Sequence, residues 1–352
     1  MAGLTFEHGG NIYEAKRRLG KEVIDFSANI NPLGLPRYIR KLLSGNLGSI
    51  LHYPDPDAKD LTKQIARYWG ISEENVLVGN GSIELIYLII AAFKPKTALI
   101  AAPDFSEYER ALTTVRSRLR FLRLTEEEGF GLDLSRVKAS DIFFFSNPHN
   151  PTGNIIVNSC DKIEKLPNKT VVVDEAFMDF ADYEEKYTMI KKATRLKNII
   201  VLRTFTKFFA LPGLRIGYLI AHKDIIGMLK RYQAPWSVNS LAQIVAGSIL
   251  NDATYMNKTR YLIKKERDFL SREIAKIDGL KPFLSEVNFI LVKIEKKEVT
   301  SRRLTERLLQ KGILIRDCGN FRSLSNRFIR IAVRKRSENQ KLVEAIKNIL
   351  MR

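Results

Sequence analysis

One lysine of this sequence is flanked by aromatic residues, and a lysine in such surroundings can act as a nucleophile. Lys207 lies in segment 203–209 together with Phe205, Phe208 and Phe209. Aromatic neighbours exclude water from an amine, which lowers its pKa and favours the neutral form that condenses with carbonyl groups. Taken alone, Lys207 could equally be a solvated surface residue, since most lysines are exposed.

A second group of residues offers hydrogen-bond donors for a phosphate. Gly81 and Ser82 follow a short apolar stretch and begin a predicted helix, whose free N–H groups favour an anion. Thr204 and Thr206 add hydroxyls, and Arg215 adds a guanidinium, which are also suited to a phosphate. The alternative interpretation of Gly81 and Ser82 is an ordinary helix start.

Two polar residues follow predicted strands. Asp174 comes directly after the apolar run 171–173, where an acid is costly unless a cation, such as a protonated ring nitrogen, accompanies it. Asn150 lies in segment 146–153, where two Asn-Pro pairs impose a rigid, non-helical turn. The alternatives are an aspartate that caps a helix or turn and, for segment 146–153, a purely structural turn.

Short apolar runs predict the strands that position these residues. The runs are 98–102, 142–145, 171–173, 199–202 and 216–220. Continuous runs of this kind suit strands buried on both faces of a mainly parallel sheet, and predicted helices between several of them indicate an α/β architecture. Because ligands of such sheets gather beyond the carboxyl ends of the strands, the turn, the acid and the lysine should converge on one crevice.

The length of 352 residues favours one large and one smaller domain over a single core. The predicted parts are an N-terminal arm (1–40), a large domain (41–240) and a small C-terminal domain (241–352). The arm is expected to join the small domain. In the small domain, the spacing of Ser337 and Gln340 predicts a capping box at the start of a terminal helix.

The order of these motifs resembles the fold-type I, aspartate-aminotransferase-like family of pyridoxal-5'-phosphate (PLP) enzymes, and the resemblance covers nearly the full length. It implies an α/β fold in which helices sandwich the mainly parallel sheet of the large domain, beside a smaller α+β domain. It also implies that Lys207 holds PLP as a Schiff base and that Asp174 pairs with the pyridine nitrogen. These two are the predicted catalytic residues.

The resemblance assigns further side chains to the cofactor. Asn150 would hydrogen-bond the ring oxygen, Tyr108 would stack on the ring, and Tyr53 would reach the cofactor phosphate of the other subunit. The family therefore implies a homodimer with shared active sites. The other predicted phosphate contacts are Gly81, Ser82, Thr204, Thr206 and Arg215.

Two groups within this family are similar to the chain: the L-threonine-O-3-phosphate decarboxylases of cobalamin biosynthesis and the histidinol-phosphate aminotransferases. The segments that resemble the decarboxylases more are 8–12, 26–34, 202–208, 235–239 and 313–318. Phe177 also stands where the aminotransferases typically have Tyr. The expected reaction is PLP-dependent decarboxylation of L-threonine O-3-phosphate to (R)-1-aminopropan-2-yl phosphate, with transamination as the alternative.

The expected substrate is therefore a phosphorylated amino acid. The predicted contacts to its phosphate and carboxylate are His8, Asn29, Asn150, Arg316 and Arg330. Arg330 stands where the family has the arginine that binds the substrate carboxylate. His8 and Asn29 could instead be structural parts of the arm, and Arg316 could form a surface salt bridge.

The composition bears on a rival hypothesis. Lys and Arg number 58 against 39 Asp and Glu, a formal net charge of +19 that attracts anionic ligands. A non-catalytic module that binds nucleic acid is therefore the third candidate. The charges are scattered in short pairs such as Lys191-Lys192, and no nucleic-acid-binding motif accompanies them, so we predict no nucleic-acid partner.

The sequence shows no targeting or membrane feature. It contains no apolar run near 18 residues and no signal-peptide pattern at residues 1–10. Its two cysteines, Cys160 and Cys318, are too few for a disulfide framework. We therefore expect a cytoplasmic protein with neither a membrane partner nor a bound metal.

Overall fold

The computed structural model describes residues 9–158 and 160–351. The α-helices of this part are α1 (Ile12–Leu19), α2 (Arg37–Gly45), α3 (Lys59–Trp69), α4 (Gly81–Phe93), α5 (Ser106–Thr114), α6 (Glu184–Tyr187), α7 (Ile190–Ala193), α8 (Lys223–Lys230), α9 (Ser240–Ile249), α10 (Ala253–Ala275), α11 (Ser301–Gln310) and α12 (Arg336–Leu350). None of these described helices combines the length and the apolar character that a membrane crossing requires.

The strands form three sheets. They are β1 (Ile24–Asp25), β2 (Val76–Gly79), β3 (Thr97–Ala102), β4 (Arg118–Arg123), β5 (Ile142–Ser146), β6 (Thr170–Asp174), β7 (Ile199–Thr204), β8 (Gly217–Ala221), β9 (Leu280–Pro282), β10 (Phe289–Ile294), β11 (Ile313–Leu314), β12 (Arg316–Asp317) and β13 (Phe328–Ala332). Every apolar run that the sequence analysis assigned to the large sheet coincides with one of these strands to within a few residues.

The largest sheet has seven strands in the order β2-β8-β7-β6-β5-β3-β4. Strands β3 to β7 are mutually parallel, whereas β8 runs antiparallel to both β7 and β2. The predicted mainly parallel sheet is therefore confirmed. Strands β5, β6, β7 and β8 are buried along their whole length, as strands covered on both faces must be.

Alternate residues of the central strands face two separate hydrophobic clusters. In β6, Val171 and Val173 belong to one cluster and Val172 belongs to the other, as the two-residue period of a strand requires. The second cluster includes Leu85 of α4 and Ile225 of α8, which cover that face. Helices therefore lie on both faces of the sheet, as the α/β prediction stated.

A smaller antiparallel sheet follows in the order β12-β13-β10-β9. Helices α10 and α11 pack against it, and α12 packs against both of these helices. The N-terminal segment joins this region, because β1 pairs in parallel with β11 and the Ala332 N–H donates to the Phe26 carbonyl at 2.9 Å. The domain boundaries near residues 40 and 240 stay predictions.

Strand β4 has no counterpart among the predicted apolar runs. Its segment alternates between exposed and partly buried residues, and Arg118, Arg120 and Arg123 are exposed. The strand lies at one edge of the large sheet, where charged side chains discourage pairing with another chain. An edge strand of this composition escapes a search for continuous apolar runs.

The start of α12 also differs from the prediction. The helix begins at Arg336 after the N-cap residue Lys335, so the capping box predicted at Ser337 and Gln340 is wrong. The Asn339 side chain instead accepts a hydrogen bond from the backbone of the loop before the helix, at Arg334 N. A buried side chain from inside the helix thus satisfies a backbone donor of the loop just before the helix.

Candidate active site

A cavity of about 560 Å³ lies where the carboxyl ends of the parallel strands face the small sheet. Its wall combines Asp174 of β6 and Thr204 of β7 with Arg316 of β12, Arg330 of β13 and the N-terminal residue Asn29. The predicted site residues that line it are Asn29, Ser82, Tyr108, Asn150, Asp174, Thr204, Thr206, Lys207, Arg215, Arg316 and Arg330.

Two of the predicted residues that the structure describes do not line the cavity, and a third is not described. Gly81 does not line the cavity itself, but it begins α4 directly before Ser82, which does. Tyr53 is exposed, packs on the Trp236 ring at 4.8 Å between centroids, and is not among the described residues that line this chain's cavity. His8 lies outside the described residues.

Lys207 lines this cavity and is partly buried. Burial lowers its pKa to about 8, and the positive charges of Arg330 and then Arg215 lower it in the same direction. Phe205, fully buried, packs against Phe209 in the same loop. The desolvation of the amine by these rings stays a prediction. An amine with a pKa near neutrality supplies both the free base and the protonated acid under physiological conditions.

Asp174 lies buried at the carboxyl end of β6. Its Oδ2 accepts a hydrogen bond from the Tyr108 hydroxyl at 2.7 Å, and its Oδ1 accepts one from Ala176 N at 3.0 Å. Burial raises the pKa of this carboxyl, while the two hydrogen bonds and the charge of Lys207 act against that shift. A carboxylate in this position is suited to a cationic ligand that would compensate its burial.

Tyr108 makes different contacts from the ones that the sequence analysis considered. Its ring stacks on Phe144 with centroids 5.2 Å apart, and its hydroxyl donates to Asp174. The predicted stacking on a cofactor ring stays a prediction. No local pattern in the sequence indicated the contact of its hydroxyl with the acid. Through this contact Tyr108 lowers the pKa of Asp174.

Asn150 is positioned by a buried chain of hydrogen bonds that begins at Asp104. The Asp104 carboxylate accepts bonds from Ser146 N at 2.8 Å and from Ser146 Oγ at 2.6 Å, and Ser146 Oγ accepts one from Asn150 N at 3.0 Å. Burial raises the pKa of Asp104 to about 8. Burial also lowers the pKa of the neighbouring His149 to about 4, so this imidazole is neutral.

A cradle for an anion lies at the start of α4. Gly81 has a φ of 81°, and a Cβ there would lie 2.7 Å from Arg215 Nη2, so only glycine lets this guanidinium come so close. Thr204 and Thr206 have their hydroxyls 2.8 Å apart beside the same cavity. Ser82, Arg215 and the two threonines together form a donor set that fits a phosphate.

Arg316 and Arg330 are directly opposite each other on antiparallel strands, and both are buried. Burial lowers the pKa of both guanidinium groups, to about 10 for Arg330. Arg330 donates to neutral acceptors, the Asn150 side-chain oxygen and the Ser27 carbonyl. Because opposite like charges repel, this pair is suited to one or two bound anions.

Four further residues of the cavity wall complete the site, and two of them were not anticipated from the sequence. Asn29 Oδ1 is buried and has no hydrogen-bond partner among the described residues, so the predicted substrate contact has an acceptor to offer. Arg322 and Glu109, which no motif pointed out, form an ion pair of 2.5 Å at the cavity wall. Phe177 lines the cavity and packs edge-on against Phe289, so no hydroxyl is present at its position.

Comparison with known proteins shows the family to which this chain belongs. The family model described as "Aminotransferase class I and II" matches residues 21–346. A relative from Caldanaerobacter subterraneus subsp. tengcongensis, provisionally named a threonine-phosphate decarboxylase, is 40% identical over 98% of this chain and 94% of its own. The threonine-phosphate decarboxylase of Salmonella typhimurium is 35% identical over 99% of this chain and 98% of its own.

Other relatives and solved structures extend this result. Histidinol-phosphate aminotransferases are among the relatives, with identities such as 29% and 36%. The crystal structure of L-threonine-O-3-phosphate decarboxylase from Porphyromonas gingivalis has a TM-score of 0.83 at 28% identity and covers 93% of this chain and 99% of its own. A Thermus thermophilus aspartate aminotransferase, 20% identical over 99% of this chain and 100% of its own, shares the fold with a TM-score of 0.81. The predicted aspartate-aminotransferase-like fold is confirmed.

Proposed function

Because the chain belongs to the class I and II aminotransferase family, we propose that it is a PLP-dependent decarboxylase of L-threonine O-3-phosphate. The product would be (R)-1-aminopropan-2-yl phosphate, for cobalamin biosynthesis. The observation that supports this most directly is the opposed pair Arg316 and Arg330, which lines the same cavity as Lys207. A substrate with a carboxylate and a phosphate supplies one anion for each arginine.

The residues of the cavity fit PLP. When bound, this cofactor supplies an electron sink that stabilises negative charge at the substrate Cα. The Lys207 amine would hold it covalently, and the buried Asp174 carboxylate would keep its ring nitrogen protonated. Ser82, Thr204, Thr206 and Arg215 would bind its phosphate. We also retain Asn150 as the donor to its ring oxygen.

The substrate would be held at both ends. We assign the carboxylate to Arg330 together with Asn150, because these two side chains are already hydrogen-bonded to each other. We assign the phosphate to Arg316 and Asn29, with His8 as a further contact. Fixing both ends limits the rotation of the substrate about Cα, which decides the bond that breaks.

Lys207 would also move the proton that completes the reaction. With its amine free of the cofactor, a pKa of about 8 would leave most of Lys207 protonated at neutral pH. We propose that it donates this proton to Cα after CO₂ has left. At neutral pH this acid form would still predominate, even though burial lowers the lysine pKa from 10.5 to about 8.

A histidinol-phosphate aminotransferase is the second candidate, because relatives of that name reach 36% identity. Phe177 argues against it. The aminotransferases typically have Tyr there, whose hydroxyl binds the ring oxygen of the cofactor, whereas Phe177 packs edge-on against Phe289 at 4.9 Å between centroids. Asn150 would then have to hold the ring oxygen without a second donor.

We also propose that the chain works as a cytoplasmic homodimer. A single chain exposes several large apolar or aromatic side chains, namely Leu47, Ile50, Leu51, Tyr53 and Trp236. Burying them against a second copy would remove apolar surface from water. Tyr53 would then reach the cofactor phosphate of the other subunit.

The experiment that tests the function uses purified protein supplied with PLP. A visible absorbance band that a Lys207→Ala variant lacks would support the lysine assignment. L-threonine O-phosphate is then added and CO₂ release is followed, with L-histidinol phosphate plus 2-oxoglutarate as the parallel assay. CO₂ release without a 2-oxo acid supports the decarboxylase. Glutamate formation without CO₂ would replace it with the aminotransferase and leave the cofactor contacts in place.

A further inference from the structure

We infer that Asn31 is a positioning residue for Lys207. It binds the carbonyls of the two peptide groups that follow the Lys207 Cα, and its side chain also contacts helix α10. Asn31 lies in the N-terminal segment that contains Asn29, and it is 2% exposed. The inference rests on the proposed function, in which Lys207 holds the cofactor and moves a proton.

Asn31 contacts two successive carbonyls at the lysine. Its backbone N–H donates to the Lys207 carbonyl at 3.0 Å, and its side-chain Nδ2 donates to the Phe208 carbonyl at 2.8 Å. The Lys207 carbonyl also accepts a longer bond of 3.4 Å from Ala210 N. The Phe208 carbonyl also accepts a bond of 3.3 Å from the Tyr255 hydroxyl. Asn31 therefore makes the shortest of the hydrogen bonds that orient the two peptide groups following the Lys207 Cα.

The same side chain contacts α10. Asn31 Nδ2 lies 2.9 Å from the Tyr255 hydroxyl and 2.8 Å from Thr259 Oγ1, which are one helical turn apart and face the same way. The Asn31 side-chain oxygen accepts a bond from Leu33 N at 3.0 Å, so both ends of the amide are engaged. Such a saturated amide holds one orientation.

The loop around Lys207 needs this support. Residues 205–211 lie between β7 and β8 without a helix or strand of their own, and Ala210 has a φ of 55°. The lysine side chain must nevertheless reach a fixed point in the cavity. Because a displacement of about 1 Å can cost on the order of 100-fold in rate, fixing the lysine backbone matters to the chemistry.

The contact also connects the lysine to the substrate side of the cavity. Asn29, two residues before Asn31, lines the cavity, as does Ser27. A substrate that binds Asn29 would therefore restrain the motion of segment 27–31, which also contacts the lysine backbone. We expect loss of Asn31 to affect the turnover number more than the Michaelis constant, since the substrate contacts themselves stay.

The test compares Asn31→Ala with Asn75→Ala. Asn75 is also buried, and its Nδ2 donates to the Ala221 carbonyl at 2.9 Å, so both variants remove a buried asparagine that binds a backbone carbonyl. Three quantities are measured: kcat for CO₂ release, the pH midpoint of the visible cofactor band, and the rate at which the cofactor-free chain captures PLP. Melting temperatures report the structural cost of each variant.

We expect Asn31→Ala to lower kcat by roughly 10- to 100-fold, to slow PLP capture and to move the pH midpoint. Asn75→Ala should keep kcat within about twofold of the wild-type value, even if its melting temperature falls as much as that of Asn31→Ala. The inference would be overturned if the two variants lost equal melting temperature and Asn31→Ala kept the wild-type kcat, PLP capture rate and pH midpoint. Asn31 would then be a structural residue only.

Two further measurements keep the test decisive. If Asn31→Ala does not fold, the double variant Tyr255→Phe, Thr259→Val removes the α10 side of the contact and should give a smaller change in the same three quantities. An unchanged double variant would then overturn the inference. If the wild-type chain transaminates instead of releasing CO₂, the proposed substrate fails, but the band midpoint and the capture rate still report on Asn31.

Discussion

The Tyr108 hydroxyl donates a 2.7 Å hydrogen bond to Oδ2 of Asp174 inside the cavity. This bond lowers the pKa of a carboxyl that burial raises, so Tyr108 helps to keep Asp174 ionised. The negative charge that would pair with the ring nitrogen of the cofactor therefore depends partly on a tyrosine.

The first prediction concerns this bond. Tyr108→Phe removes a hydrogen bond to a charged group, which contributes about 1.5–3 kcal/mol. We expect kcat/KM for CO₂ release to fall by roughly 10-fold or more, with a shift in the pH dependence of the visible band. The control is Tyr87→Phe, which removes a tyrosine hydroxyl bonded to Glu107 at 3.2 Å outside the cavity. Equal effects in both variants would contradict the special role of Tyr108.

The second prediction concerns the Lys207 pKa of about 8, which burial, Arg330 and Arg215 all lower. Capture of PLP by the cofactor-free chain needs the neutral amine, so its rate should rise with pH and level off above about 8. Arg330→Met removes one positive charge and should raise the midpoint of this curve. Capture at pH 7 should then slow by roughly two- to tenfold, measured by stopped-flow absorbance.

Arg322→Met is the control for that measurement. Arg322 also lines the cavity but forms an ion pair with Glu109. Its removal should leave the midpoint of the capture curve where it is. A curve for Arg330→Met that coincides with the wild type would show that this arginine does not set the lysine pKa.

The third prediction concerns the pH dependence of stability. Burial raises the pKa of Asp104 from 3.8 to about 8, so between these values the folded chain binds a proton that the unfolded chain releases. Folded-state stability from this group is therefore lost as the pH rises through that window. Asp104→Asn resembles the protonated acid and should gain about 2–5 °C in melting temperature relative to wild type between pH 5 and 8.

Asp133→Asn is the matched control for Asp104. Asp133 is exposed and binds the backbone and hydroxyl of Ser135 much as Asp104 binds those of Ser146. Hydrogen bonds from Ser135 lower its pKa, so the sign of its effect is opposite. A melting-temperature difference for Asp104→Asn that does not grow between pH 5 and 8 would contradict a raised pKa.

The fourth prediction concerns the homodimer. Leu51 is 81% exposed within the proposed interface, and Leu51→Glu would place a charge against apolar surface. We expect light scattering to show a shift from dimer to monomer and PLP to bind more weakly, because Tyr53 of the partner would be lost. Leu284→Glu alters another exposed leucine, 90% exposed, and should change neither quantity. If Leu51→Glu and Leu284→Glu formed dimers of equal stability, the interface would not include Leu51.

The sequence by itself determined the buried strands of the large sheet, though not its edge strand β4, and the polar residues at their ends. Asn150, Asp174 and Lys207 each follow a short apolar run, and parallel strands bring such positions to one edge. These inferences need only local patterns and one rule of topology. The resemblance added Arg316 and Arg330, which now line the same cavity.

Only the tertiary structure decided which side chains act on these residues. Tyr108 reaches Asp174 across 66 positions of sequence, Asp104 reaches Ser146 across 42, and Arg322 reaches Glu109 across 213. The first two contacts arise because β3, which α5 follows along the chain, pairs with β5, and β5 pairs with β6. Strand order and side-chain direction come from packing of the whole core, so no local pattern of residues predicts them.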